Sequence, residues 1–222
     1  MTKQDVASKI IEIGVVPVIR AKSARLGMRA VEAVCAGGIP VVEITMTVPG
    51  AVDLIAELSK SVGADVLIGA GTVLDMQAAQ RCLDVGARFL VSPGFDHDTV
   101  QFANRTGTLI IAGALTPTEV VTAWKAGSDL VKIFPCGSVG GAQYIKALKA
   151  PLPDIAMVPT GGVNLSNAAE LIQAGAAALG VGGELVSAAA LESGKLQEIT
   201  ENAHKYVAIV SETRQQMLMV HP

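Results

Sequence analysis

The chain has 222 residues, half of them hydrophobic and 17% charged, with 23 glycines and only four Phe, two Tyr and one Trp; that size suits a single globular domain over residues 1–222. Seventeen Lys and Arg against 20 Asp and Glu leave a net charge of −3, and no segment gathers the basic residues of a phosphate-backbone footprint, which argues against nucleic-acid binding. The longest uncharged stretch, residues 155–169, is broken by Pro159, Gly161, Gly162, Asn164 and Asn167, so no membrane span is expected.

Met1 to Asp5 lacks a basic region followed by an apolar one, so no secretory signal is expected there. A helix is predicted over about residues 2–13, followed by the apolar run Val15-Val16-Pro17-Val18-Ile19. Ser23 then caps a helix that carries Leu26, Ala30, Val31 and Val34 on one face. From here a pattern recurs, a helix-ending glycine followed by an apolar run. Its copies are Gly37-Gly38 before Ile39 to Glu43, Gly86 before Phe89 to Val91, Gly127 before Leu130 to Phe134, and Gly175 before Leu179-Gly180. Further runs lie between them at residues 66–69, 109–112 and 155–158, which makes eight, and Thr116-Pro117-Thr118-Glu119 opens another helix. Helices over about residues 184–191 and 195–215 would follow.

Short continuous runs rich in Val and Ile suit strands buried on both faces of a parallel sheet. Eight of them alternating with helices leave a (β/α)8 barrel or a doubly wound sheet, and the count favours the barrel, here with an additional N-terminal helix.

A barrel carries its site at the C-terminal ends of its strands. The residues to interrogate there are Arg20 after strand 1, Glu43 ending strand 2, Thr72 after strand 3, Ser92-Pro93 after strand 4, Thr116 after strand 5, Lys132 within strand 6 and Thr160 after strand 7. Lys132 is the most anomalous, because lysine is seldom fully buried unless paired. A plain ion pair with Glu43, or a lysine that snorkels to solvent, would also account for it. Glu43 and Lys132 each stand five residues after a helix-ending glycine, on even-numbered strands that share interior layers, so they are expected to meet. Gly180 at the corresponding position of strand 8 would leave space beside them.

A lysine among apolar neighbours supplies some neutral amine to attack a carbonyl carbon, and a carboxylate alongside can shuttle the protons. Arg20, read alternatively as an ordinary surface arginine, offers a planar fork for a substrate carboxylate. Together the three describe a Schiff-base site for a 2-oxo acid that needs no metal or other cofactor. Thr160-Gly161-Gly162-Val163-Asn164 and Gly180-Val181-Gly182-Gly183-Glu184 follow strands 7 and 8, where barrels hold phosphate on backbone N–H groups; simple tight turns are the other reading. Cys35 and Cys82 fall in helical patterns, and Cys136 has no histidine near it in sequence. Three cysteines without paired spacing point to a reducing cytoplasm. The scattered His97, His204 and His221 do not make a metal site.

Six segments resemble the family of 2-keto-3-deoxy-6-phosphogluconate, 2-keto-3-deoxy-6-phosphogalactonate and 4-hydroxy-2-oxoglutarate aldolases. They are Pro17-Val18-Ile19-Arg20, Val42-Glu43-Ile44-Thr45, Gly69-Ala70-Gly71-Thr72-Val73-Leu74, Val91-Ser92-Pro93-Gly94, Val131-Lys132-Ile133-Phe134-Pro135 and Pro159-Thr160-Gly161-Gly162-Val163, in that order. The resemblance implies a metal-independent (β/α)8 enzyme that forms homotrimers. Carried over by motif, Lys132 is the Schiff-base lysine and Glu43 the general acid/base; Thr72, Pro93 and Thr160 line a pyruvate pocket; Gly161, Gly162, Gly182 and Gly183 bind phosphate. Many members carry an arginine where this chain has Thr47, while others place it at the end of strand 1, which hands the carboxylate to Arg20. Gly183 stands where members commonly have a phosphate-binding serine. The alternatives are a phosphosugar isomerase or epimerase barrel, and a barrel that binds sugar acids without turnover.

Overall fold

A computed structural model describes residues 1–63 and 65–220; His221 lies outside them. Among the described residues eight strands, all parallel, form one sheet: β1 (Val15–Ile19), β2 (Val41–Thr45), β3 (Leu67–Gly71), β4 (Phe89–Val91), β5 (Leu109–Ala114), β6 (Leu130–Ile133), β7 (Met157–Pro159) and β8 (Leu179–Val181). Each strand pairs with its successor, β1 pairs with β8, and a bridge between Thr160 and Gly180 joins β7 to β8. The sheet therefore closes into a (β/α)8 barrel, which leaves no exposed edge.

α1 (Lys3–Ile13) precedes the barrel, and α2 (Ala24–Ala36), α3 (Ala51–Ser61), α4 (Met76–Asp84), α5 (His97–Arg105), α6 (Pro117–Lys125), α7 (Ala142–Lys149) and α8 (Ala168–Gln173) connect successive strands. α9 (Ala188–Ser193) and α10 (Leu196–Val220) follow β8, and α10 packs against α2 and α8 to complete the outer ring. The caps are local chemistry. Thr2 and Asp5 form a capping box on α1, Ser23 Oγ accepts from Leu26 N at 3.3 Å, and Thr116 with Glu119 caps α6 behind Pro117.

Strand alternation divides the apolar side chains into two cores. Val42, Ile44, Val131 and Ile133 point outward into the layer beneath the helices, whereas Val41, Leu67, Phe89, Leu109 and Leu130 fill the barrel interior. Val6 and Ile10 of α1 join that inner cluster, so α1 plugs the end of the barrel where the strands begin. The same alternation turns Glu43 and Lys132 inward.

Three boundaries differ from the sequence reading. β2 runs to Thr45, because Glu43, inward-facing and buried, continues the pleat rather than ending it. Residues 182–186 form a tight turn, with Leu185 and Val186 N–H groups donating to Gly182 O at 3.0 and 2.9 Å, so the short helix begins at Ala188, capped by Ser187, and not near Glu184. The C-terminal helix also extends five residues past the expected end.

Arg214 of α10 ties the plugged end together. Its guanidinium donates to Glu12 O and Ala177 O, each at 2.8 Å, linking α10 to the end of α1 and the approach to β8. Charge-assisted bonds to partly buried carbonyls are worth about 2 kcal/mol together once the solvated alternative is counted. Arg214→Ala should therefore lower the thermal midpoint by several degrees, read by calorimetry. Turnover should stay unchanged, because both carbonyls lie at the end opposite the strand C-termini.

Candidate active site

Lys132 sits in β6 with Gly113 of β5 and Val158 of β7 as its register partners, and Glu43 sits in β2 opposite Val18 and Gly69. Both are sealed, Lys132 to 4% exposure and Glu43 to 2%. Lys132 Nζ lies 3.8 Å from Glu43 Oε1 and 5.5 Å from the centre of the Phe134 ring. The two expected partners thus meet inside the barrel. At that separation the pair is coulombic without a hydrogen bond, and Oε1 has no hydrogen-bond partner among the described residues. An orphaned, buried carboxylate oxygen beside an amine is a place where a substrate's donor is expected.

The interior wall above this pair is narrow in particular places. A Cβ on Gly113 would overlap the Pro93 and Gly94 backbone, and Gly113 N donates to Ser92 Oγ at 3.2 Å while that hydroxyl donates to Gly94 O at 2.6 Å. Pro93 is thereby pinned across β5 at the level of Lys132, whose register partner is Gly113. A Cβ on Gly180 would overlap Thr160 Oγ1. The space expected beside Gly180 is filled by that threonine hydroxyl, which donates to Val158 O at 3.3 Å.

Thr72 has φ 58, the one non-glycine residue in the left-handed region among those described. For a β-branched residue this costs about 1–3 kcal/mol and persists only when the surroundings dictate it. They do: Met46 N donates to Gly71 O at 2.8 Å and Val73 N to Val91 O at 3.1 Å, clamping Thr72 from both sides. Its hydroxyl makes no hydrogen bond within the described residues.

Arg20, expected to serve the Lys132 site, is exposed at the barrel mouth. A Cβ on Gly182 would stand 3.4 Å from its Nη1. It lines a cavity of about 220 Å³ with Phe134, Thr160, Gly161, Gly162, Gly182 and Gly183, whose open edge carries Glu184. Gly161 and Gly162, at φ 84 and 78, adopt a backbone that only glycine takes readily. Thr160 O and Gly161 O accept from Cys136 N and Gly137 N at 2.9 and 2.8 Å, which fastens this loop to the one after β6. Around Gly183 there is open space, so a side chain at that position would meet nothing within 4 Å.

Sequence reasoning missed Thr45, whose buried hydroxyl donates to Ile19 O at 2.9 Å and sits 2.7 Å from Thr47 Oγ1, fixing the peptide that leads to Arg20. The inward alternation of Val41, Glu43 and Thr45 was the available signal. Cys136 is buried and its thiol is pushed up to about 11 by burial, the wrong direction for a nucleophile. Burial pushes Cys35 and Cys82 up to about 11 as well. Among the described residues no three His, Cys, Asp or Glu side chains converge as metal ligands.

The chain is similar to known proteins. The model of the KDPG and KHG aldolase family matches residues 6–202. The 2-dehydro-3-deoxy-phosphogluconate aldolase of Treponema pallidum is 35% identical over 199 residues, 89% of this chain and 94% of that one. The 2-dehydro-3-deoxy-6-phosphogalactonate aldolase of Escherichia coli is 37% identical over 186 residues, 83% of this chain and 87% of that one. Among solved structures, KDPG aldolase from Legionella pneumophila, with pyruvate captured as a covalent carbinolamine intermediate, is similar at a TM-score of 0.83 and 30% identity, covering 89% of this chain and 96% of that one. With the family model spanning most of the barrel, the chain belongs to the KDPG and KHG aldolase family.

Proposed function

We propose that this protein is a class I aldolase, a lyase that reversibly cleaves 2-keto-3-deoxy-6-phosphogluconate, or a close 2-oxo-3-deoxy acid, to pyruvate and an aldehyde such as glyceraldehyde 3-phosphate. The observation that carries this is Lys132 Nζ sealed in the barrel mouth 3.8 Å from a Glu43 oxygen with no other partner. An isomerase or epimerase would want a carboxylate base pair or a histidine cluster, and a binding protein has no use for a carboxylate left unsatisfied beside an amine.

Neutral Lys132 Nζ attacks the substrate C2 carbonyl, a C–N bond forms, and Glu43 passes the proton with which the oxygen leaves as water. The resulting iminium draws electrons. Glu43 takes the proton of the C4 hydroxyl, the C3–C4 bond breaks, its electron pair moves toward the nitrogen as an enamine, and the aldehyde departs. The proton returns from Glu43 to C3, and water releases pyruvate and the amine. No metal is required as electron sink. Thr72, with a free hydroxyl held by a clamped backbone, Pro93 and Thr160 line the pyruvate end.

For Arg20, which the sequence reading gave to the substrate carboxylate, we infer a task beside the glycine turns. Beside Gly182, with Gly161, Gly162 and Gly183 around the same cavity, its guanidinium supplies the positive charge that the glycine loops lack, and so it serves the phosphate rather than the carboxylate. Family likeness supports a homotrimer of single-domain chains, residues 1–222, working in the cytoplasm on a small-molecule substrate. The three free cysteines agree with a reducing compartment, and among the described residues no helix is long and apolar enough to cross a membrane.

Borohydride reduction with pyruvate should add a lactyl-sized mass to Lys132 alone among the ten lysines. Lys149 is the internal control, because burial lowers its pKa, yet its amine donates to Pro153 O and Ile155 O at 2.5 and 3.1 Å. Labelling at Lys149, or turnover surviving Lys132→Ala, would refute the Schiff-base assignment. Arg20→Ala should raise KM for a phosphorylated substrate roughly ten- to a hundredfold, the worth of a charged hydrogen bond, and leave its dephosphorylated analogue and pyruvate trapping nearly unchanged. Gly183→Ser should tighten only the phosphorylated substrate. Equal effects of Arg20→Ala on both analogues would return the arginine to the carboxylate.

A further inference from the structure

No hydrogen bond within the described residues fixes the carboxylate on which the proposed chemistry turns. Glu43 Oε1 is without a partner, and Lys132 Nζ at 3.8 Å is too far to grip it. What places it is shape. Gly71 ends β3, two residues past Gly69, the register partner of Glu43, and faces the same interior. A Cβ built on Gly71 would overlap Glu43 Oε1, Cδ and Cγ together, so the acid's terminus lies against the bare Cα of Gly71.

The backbone does not demand glycine there. Gly71 is absent from the left-handed glycines, which include Gly161 and Gly162, and it has ordinary strand pairing with Thr45. The nearest atoms a methyl would meet, Cγ, Cδ and Oε1, all belong to one flexible side chain, that of Glu43. Alanine at position 71 can therefore be accommodated by rotating Glu43 and leaving the frame in place.

We propose that Gly71 is a positioning residue for the reaction: its missing side chain is the seat of the Glu43 carboxylate, holding that group inside the mouth close to Lys132 without closing on it. A single methyl turns the carboxylate out of the seat, either onto the amine or away from the substrate. In both cases the proton steps slow, loss of water from the adduct among them, while Lys132 still reaches the same final carbon–nitrogen adduct. The inference rests on the aldolase reading of Lys132 and Glu43, and the experiment separates the two.

Borohydride trapping of pyruvate on the unsubstituted protein comes first; without a Lys132 adduct the underlying reading falls, whatever Gly71 does. Given the adduct, Gly71→Ala should lower kcat by roughly 10²- to 10⁴-fold, as for loss of a positioned acid/base, with KM changing much less. Exchange of the pyruvate methyl protons into deuterated water should fall by a similar factor, while the final extent of trapping at saturating pyruvate persists. In a Glu43→Ala background the same methyl should change nothing further. Near-normal kcat and exchange in Gly71→Ala, joint loss of trapping and exchange, or an undiminished effect of the methyl after Glu43→Ala each overturns the seat. Should Gly71→Ala fail to fold, the Glu43→Ala/Gly71→Ala pair decides: a folded pair places the clash on Glu43, and an unfolded pair places it on the frame and ends the proposal.

Discussion

An amine and a carboxylate that share a nearly waterless chamber must be kept near each other and also kept from collapsing into a tight pair. Taking two charges out of water costs several kcal/mol per ion, which close, well-bonded pairing can repay and a 3.8 Å approach repays only in part. The fold carries that cost elsewhere. The inner cluster sealed by Val6 and Ile10 of α1, and the outer cluster beneath the helices, supply the apolar burial against which a strained and incompletely satisfied site can persist. An incompletely satisfied pair is also a ready one, since the substrate carbonyl and hydroxyl can provide the contacts that the protein withholds.

Two further expenses gather at the same rim. Thr72 is held in a left-handed conformation by hydrogen bonds on both flanking peptides, and Pro93 is drawn across the barrel over Gly113. Both put polar or rigid atoms at fixed positions at the barrel mouth, as preorganised sites require. The interior glycines act in the same direction: Gly71, Gly113 and Gly180 each leave out a side chain where Glu43, Pro93 or Thr160 needs the space.

Barrel closure accounts for where Arg20 lies. Because β1 pairs with β8, the residue that follows β1 comes to rest beside the turn that follows β8, and Arg20 joins loops that lie more than 140 positions away in sequence. A guanidinium at that junction gives the glycine turns a charge that no residue within them possesses. The exposed carboxylate of Glu184 stands at the edge of the same cavity.

By itself the sequence determined the eight-strand rhythm, the N-terminal helix, and the inward positions of Glu43 and Lys132. Each of these is local: a helix-ending glycine, a capped first turn, or a two-residue alternation written within a few neighbouring positions. Family motifs marked Thr72, Pro93, Thr160 and the glycine pairs for the same reason. Only the tertiary structure decided that Arg20 stands by the glycine turns, that Gly180 yields its space to Thr160, that the turn after β8 is not yet helix, and that Gly71 underlies Glu43. Those facts depend on which strands lie side by side and on how far one side chain reaches over another's Cα. Such distances are set when the sheet closes, and no window along the chain contains them.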